Sequence, residues 1–187
     1  MAQRRQQLSA DGSARLSALA VAQLTALPPF DAALTGTIAG FLPIKGEIDP
    51  GVALAGARAR GATVVFPRVT PAATPRLRFH RADAPGDLAP GPFGLLEPTA
   101  TCPELPLGSI DVMIVPGLAF DLGGGRLGFG GGYYDEVADA LRTGKRALLV
   151  GFGFDFQVVA RCPADARDAR MDWLVTDQRA VHCGKAS

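Results

Sequence analysis

Seven of the ten residues from Gly123 to Gly132, GGGRLGFGGG, are glycine, in a chain that has 23 glycines among 187 residues. The apolar run IDVMIVPGLAF, Ile110 to Phe120, comes directly before them, and YYD follows directly after. The order predicts a strand, a bare loop and then a helix from Tyr133 to about Arg142. Glycine removes the side chains that keep backbone N–H groups away from a ligand and permits positive φ, so such a loop can wrap an anion. The helix behind it aims free N–H groups and a positive dipole end at the same point. Arg126 adds a cation, and phosphate is the expected guest. The competing reading of the run is a surface loop whose glycines only avoid strain. No Gly-Lys-Ser/Thr closes the motif, and its spacing is not that of the dinucleotide fingerprint.

Other segments supply the scaffold for that loop. Leu8 to Leu27 predicts an amphipathic helix stopped by Pro28-Pro29. Thr37 to Leu42 predicts a short strand. Asp49-Pro50 reads as an N-cap followed by proline at the first position of a helix running to Arg60, with Gly61 as its stop. Ala62 to Pro67 is then a buried strand, so strand, helix and strand form a parallel crossover. Arg76 to Arg81 alternates as an exposed strand would, and 82–109 reads as an ordered surface loop. Ala147 to Phe154 and Asp172 to Thr176 complete the strands. The expected fold is α/β, a single domain over 1–187 with a mostly parallel central sheet flanked by helices. In an open parallel sheet, ligands gather beyond the carboxyl ends of the strands. Three loops leave such ends and carry Lys45, Glu47, Arg126, Asp135 and Gln157.

Composition bounds the function. A net charge of +1 argues against a general nucleic-acid or acidic-membrane surface while permitting a local basic pocket. No apolar stretch approaches a membrane span, and MAQRRQQLS lacks a signal-peptide core, so a cytoplasmic protein is expected. Cys102, Cys162 and Cys183 are far apart and form no zinc pattern, so reduced thiols are expected. His182 beside Cys183 is read as coincidence.

DVMIVPGLAFDLGGGRLGFGGGYYD, Asp111 to Asp135, resembles the signature of the 5-formyltetrahydrofolate cyclo-ligase (5,10-methenyltetrahydrofolate synthetase) family. FLPIKGEID (Phe41 to Asp49), FGLLEP (Phe93 to Pro98), GFGFDFQ (Gly151 to Gln157) and RDARMDWLVT (Arg167 to Thr176) extend the resemblance over about Arg4 to Asp177. It implies an ATP-dependent ligase that closes 5-formyltetrahydrofolate to 5,10-methenyltetrahydrofolate and releases ADP and phosphate. It further implies that Arg126, Leu127, Gly128, Phe129, Gly130, Gly131, Gly132, Tyr133 and Tyr134 hold ATP, with Arg126 and Tyr133 catalytic. Leu42, Glu47 and the segment Phe129 to Tyr133 match the folate contacts, and Asp135 and Asp168 match carboxylates that bind Mg2+. Taken alone, Asp135 reads equally well as a first-turn helix carboxylate, Asp168 as half of a surface ion pair, Glu47 as a turn residue and Leu42 as core. The implied partners are small molecules, with no nucleic acid or membrane, and the expected state is a monomer.

The resemblance is incomplete at the amino end. Family members carry a Lys-x-x-x-Arg pair upstream of the Leu-Ser that matches Leu8-Ser9, and residues 1–7 do not contain it. A late start, substitution by Arg4 or Arg5 from a shifted helix, and a folate-binding or regulatory paralogue with weakened ATP use are the three readings. The second places Arg5 among the ATP contacts. A remoter alternative is a sugar-phosphate or acyl-CoA binding relative.

Overall fold

The computed structural model describes residues 1–70, 76–91, 95–143, 147–163 and 169–184. Its centre is one eight-stranded sheet. β1 (Thr37–Ala39), β2 (Thr63–Val69), β7 (Val112–Val115), β10 (Leu148–Phe152) and β11 (Trp173–Val175) pair in parallel in the order β11-β10-β7-β1-β2. Antiparallel strands extend both edges: β3 (Leu77–Arg81) and β6 (Glu104–Leu105) beyond β2, and β12 (Ala180–His182) beyond β11. A hairpin of β4 (Leu88–Pro90) and β5 (Leu96–Pro98) forms its own two-stranded ladder beside β2, where Arg68 Nη1 donates to the Pro98 carbonyl.

The inner parallel strands β1, β7 and β10 are buried almost throughout because both faces are covered, as parallel sheets require. Alternation along β7 divides the core: Val112 and Ile114 face one layer, Met113 and Val115 the other. The first layer packs on α2 (Ala10–Thr25) through Ala20, Val21 and Leu24, and on α4 (Gly51–Ala59) through Ala53, Leu54 and Ala57. The second packs on α5 (Tyr133–Thr143) through Val137, Ala138 and Leu141, whose i, i+1, i+4 spacing gives one apolar stripe.

Local chemistry sets the element ends. Ser9 caps α2 by accepting from the Gly12 N–H at 3.1 Å. Gly61 has φ +106°, the conformation expected of a residue just past a helix end. The cap of α4 is shifted by one residue from expectation: Pro50 is the flanking residue, and the Asp49 carboxylate accepts from the Gly51 N–H at 2.7 Å.

Other expectations are corrected. Pro28 and Pro29 stop α2 but also open α3 (Pro28–Ala32), because proline's missing N–H is harmless in a first turn. A separate α1 (Ala2–Gln6) precedes α2. The 82–109 stretch contains β4, β5 and β6, and the last strand is β12. Ile110 to Phe120 is not one strand: β7 ends at Val115, and β8 (Ala119–Phe120) turns back on β9 (Arg126–Leu127) as a hairpin. The glycine run is therefore divided. Gly123 to Gly125 make the hairpin turn, and only 128–132 lead into α5.

Sequential strands run outward in both directions from the β1–β7 pair, β1 to β2 on one side and β7 to β10 to β11 on the other. That is a topological switch point, where the loops after two neighbouring strands part and leave a crevice.

Candidate functional site

The loop after β7 is Pro116-Gly117-Leu118, and its carbonyls collect side chains from distant parts of the chain. Arg126 Nη1 donates to the Pro116 oxygen at 3.5 Å, and Arg5 Nη1 to the Gly117 oxygen at 3.5 Å. Gln157 Nε2 donates to the Gly117 oxygen at 2.8 Å and the Leu118 oxygen at 3.1 Å, while Gln157 Oε1 accepts from the Phe154 N–H at 2.9 Å. Carbonyls at the end of a parallel strand have no ladder partner, and here two cations and an amide satisfy them.

Below this turn sits Phe120. A Cβ on Gly117, Gly151 or Gly153 would lie 2.8, 2.9 or 2.8 Å from its ring carbons. The glycines of GFGFDFQ thus seat an aromatic ring under the turn, a packing role that the sequence does not reveal.

The loop after β1 carries Glu47. Lys45 has φ 49° and Gly46 φ 73°, so the chain reverses sharply, with the Glu47 N–H bonded to the Ile44 oxygen at 2.9 Å. Glu47 Oε2 accepts from the Ile44 N–H at 3.1 Å, and Oε1 faces Arg5 Nη1 at 3.6 Å. Burial pushes the Glu47 carboxyl above its ordinary range, and the Ile44 N–H and the Arg5 charge only partly offset this. Leu42, on the same loop, is half-buried against the first core layer.

The loop before α5 is the open part. Phe129 is 53% exposed, and its ring centroid lies 5.6 Å from the Arg5 guanidinium carbon. Leu127 and 130–132 are exposed, and Gly128 is half-buried. Gly130 and Gly132 hold φ of 87° and 67°, which keeps the backbone in a conformation other residues resist. Tyr133, Tyr134 and Asp135 are half-buried on the first turn of α5. Asp135 Oδ1 accepts from Arg126 Nη2 at 2.6 Å, and the Arg126 guanidinium carbon lies 5.7 Å from the Tyr134 ring centroid. Burial, reinforced by the Glu47 charge and opposed by Arg126, pushes the Tyr134 hydroxyl far up, so it stays protonated.

The structure thus brings Arg5, Glu47, Arg126, Phe129, Tyr134, Asp135 and Gln157 to one crevice. Asp168, together with Arg167, lies outside the described residues. Phe93 and Gly94 of the FGLLEP stretch lie outside them also. His182 packs edge-on against Trp173 with ring centroids 5.1 Å apart, and all three cysteines are free and buried. No helix among the described residues is long and apolar enough to cross a membrane.

Three buried polar atoms of the crevice lack a hydrogen bond: Arg5 Nε, Glu47 Oε1 and Arg126 Nε. Unmet polar atoms of charged groups cost stability, and their concentration at a switch point marks a place that expects a ligand with both donors and acceptors. Metal donors are sparse here. Among the described residues no three His, Cys, Asp or Glu side chains group together. Among the described residues, Asp135 offers a carboxylate oxygen at the loop mouth, the hard donor type that Mg2+ takes.

Comparison with known proteins matches the same segments. The family model described as the 5-formyltetrahydrofolate cyclo-ligase family covers residues 1–177. The 5-formyltetrahydrofolate cyclo-ligase of Saccharomyces cerevisiae is 34% identical over 157 residues, 74% of each chain. That of Escherichia coli K12 is 29% identical over 178 residues, 95% of this chain and 96% of its own. The solved structure of Aquifex aeolicus 5,10-methenyltetrahydrofolate synthetase superposes with a TM-score of 0.81 at 33% identity, covering 100% of this chain and 90% of that one. The structure of a 5,10-methenyltetrahydrofolate synthetase from Mycoplasma pneumoniae shares the fold, with a TM-score of 0.74 at 23% identity over 94% of this chain and 93% of its own. With its glycine loop, switch-point crevice and full-length match in agreement, the chain belongs to the 5-formyltetrahydrofolate cyclo-ligase family.

Proposed function

We propose that the protein is an ATP-dependent ligase that converts 5-formyltetrahydrofolate to 5,10-methenyltetrahydrofolate with release of ADP and phosphate. The observation that carries this reading is the set of unmet polar atoms on Arg5, Glu47 and Arg126 around the Pro116-Gly117-Leu118 turn. One carboxylate and two guanidiniums with unmet polar atoms suit a substrate pair with N–H donors on one partner and phosphates on the other.

A formamide oxygen is a poor leaving group. Its attack on the γ-phosphorus of ATP expels ADP and gives an imidate-like phosphate. The nitrogen at folate position 10 then adds to the former formyl carbon and loses its proton. The carbon–oxygen bond breaks, and phosphate leaves with the oxygen. Both steps demand positioning and charge neutralisation more than covalent help.

In this reading the N–H groups of Leu127 to Tyr134 cradle the triphosphate, and Arg126 neutralises charge on the transferred group. Arg5 offers its free Nε–H to the same set. Tyr133 lies at the start of α5, where its N–H and ring border the reacting groups, and Phe129 to Tyr133 also line the folate. Glu47 accepts pterin N–H donors through Oε1, with Leu42 beneath the ring. Asp135, with Asp168, would hold Mg2+, which neutralises the β- and γ-phosphate oxygens when bound. The remaining elements of the proposal are a cytoplasmic monomer and small-molecule partners only, in keeping with a net charge of +1.

The test is absorbance at the methenyl product's band after mixing protein with 5-formyltetrahydrofolate, with and without Mg-ATP. The expected result is a rise that requires ATP. Folate binding with no product would replace this reading by a folate-binding or regulatory paralogue.

A further inference from the structure

Arg5 is 2% exposed and Glu47 7% exposed, so two full charges lie together below the surface. Arg5 arrives from α1, whose backbone is seated on the loop after β1. A Cβ on Gly46 would stand 3.2 Å from the Arg5 carbonyl oxygen. Glu47 Oε2 is committed to the Ile44 N–H, which leaves Oε1 facing Arg5 Nη1 at 3.6 Å, too far for a hydrogen bond and close enough for a strong field. A carboxylate buried this way stays charged only with a partner.

We infer that Arg5 is a positioning residue for Glu47: from α1 it holds the carboxylate as an anion, with Oε1 kept for the N–H donors of a folate pterin. This rests on reading Glu47 as a folate contact. The charged and titratable groups facing Glu47 are Arg5 from α1, Lys45 from its own loop, and the Tyr134 hydroxyl from α5. Arg126 lies 5.7 Å from the Tyr134 ring centroid and is paired with Asp135. Tyr134 stays neutral and Lys45 is exposed, so Arg5 is the buried counter-charge. Burial raises the Glu47 pKa and Arg5 lowers it. Removing Arg5 therefore moves protonation of Glu47 to higher pH.

The experiment is calorimetric binding of 5-formyltetrahydrofolate to the full chain without nucleotide, from mildly acidic to mildly alkaline pH, in a two-residue cycle. Arg5→Gln is expected to weaken affinity at neutral pH by about tenfold and to shift the acid limb of binding upward. Arg5→Lys keeps a charge without the planar fork and restores most of that limb. In the Glu47→Gln background, Arg5→Gln adds little further loss, since the group it positions is gone. An equal loss in both backgrounds, or an unmoved acid limb, overturns the inference. An unchanged affinity for Glu47→Gln alone instead sinks the reading of Glu47 as a folate contact. Thermal melts report folding of each variant, and the double variant leaves no lone buried charge. Where Arg5→Gln does not fold, Arg5→Met carries the test, since it removes the charge at similar volume: an upward shift of the acid limb is expected, and an unmoved limb overturns the proposal.

Discussion

Arg126 stands in two relationships at once. Its Nη2 is bound to Asp135 at 2.6 Å, while its Nε is buried without a hydrogen bond. Under the proposed function, an incoming Mg-nucleotide would offer an anion to the arginine and a cation to the carboxylate, so both partners of the ion pair would gain a replacement in one event. Asp135→Asn is expected to cut the magnesium-dependent part of nucleotide affinity by about tenfold or more, with little change in the melting temperature. Titration calorimetry with magnesium and with a chelator checks it, and undiminished magnesium dependence removes Asp135 from the metal's ligands. Arg126→Ala is expected to lower kcat/KM by about two orders of magnitude, and wild-type kinetics would take it out of the site. Both side chains stand out in the sequence because a long motif holds them. Their contact was not legible, since the eight residues between them can place them together or apart.

At the scale of elements, the hairpin of β8 and β9 decides what Gly123, Gly124 and Gly125 are for. Its turn is organised by Asp121, whose Oδ1 accepts from the N–H groups of Gly123 and Gly125, each at 2.9 Å, and whose Oδ2 accepts from the Cys162 N–H at 2.7 Å. Gly124 has φ +86°, and a Cβ there would lie 2.5 Å from the Met171 carbonyl oxygen. Gly124→Ala combines positive-φ strain with a backbone clash and is expected to destabilise the fold by about 2–4 kcal/mol, read by urea denaturation. A change within about 0.5 kcal/mol would mean that the turn moves freely. The crossover from β1 through α4 to β2 and the start of α5 were readable from caps, stops and apolar runs. The hairpin was not, because a glycine run suits a tight turn and an open anion loop equally. α1 was missed for another reason: five residues are too few to display a helical period.

For the whole molecule, two carboxyls make stability depend on acid in opposite senses. Burial pushes Asp121 up, but its three N–H donors, with Arg170 nearby, outweigh that and hold it below its ordinary value of 3.8. The unfolded chain therefore binds the proton first. The Asp121 contribution is complete above pH 3.8 and is lost as pH falls through the lower folded value. Glu47 is raised above its ordinary 4.5, so its folded form takes a proton more readily, and stability falls as pH rises from 4.5 through the folded value. Asp121→Ala is expected to melt well below wild type at neutral pH and to close much of that gap as pH drops below 3.8. A gap independent of pH would assign the loss to packing alone. The α/β class and the three loops around the crevice followed from strand order and the rule for open sheets. Strand neighbours did not follow, since pairing is chosen by tertiary packing, and the β1–β7 contact that opens the crevice joins residues far apart in the chain.

Arg5 touches Gly117 and the Phe129 ring from within the opening helical turns of the chain. A substitution that loosens α1 therefore acts on this cluster without touching any loop of the sheet, and binding constants from such a variant report the seating of a helix as much as the residue exchanged.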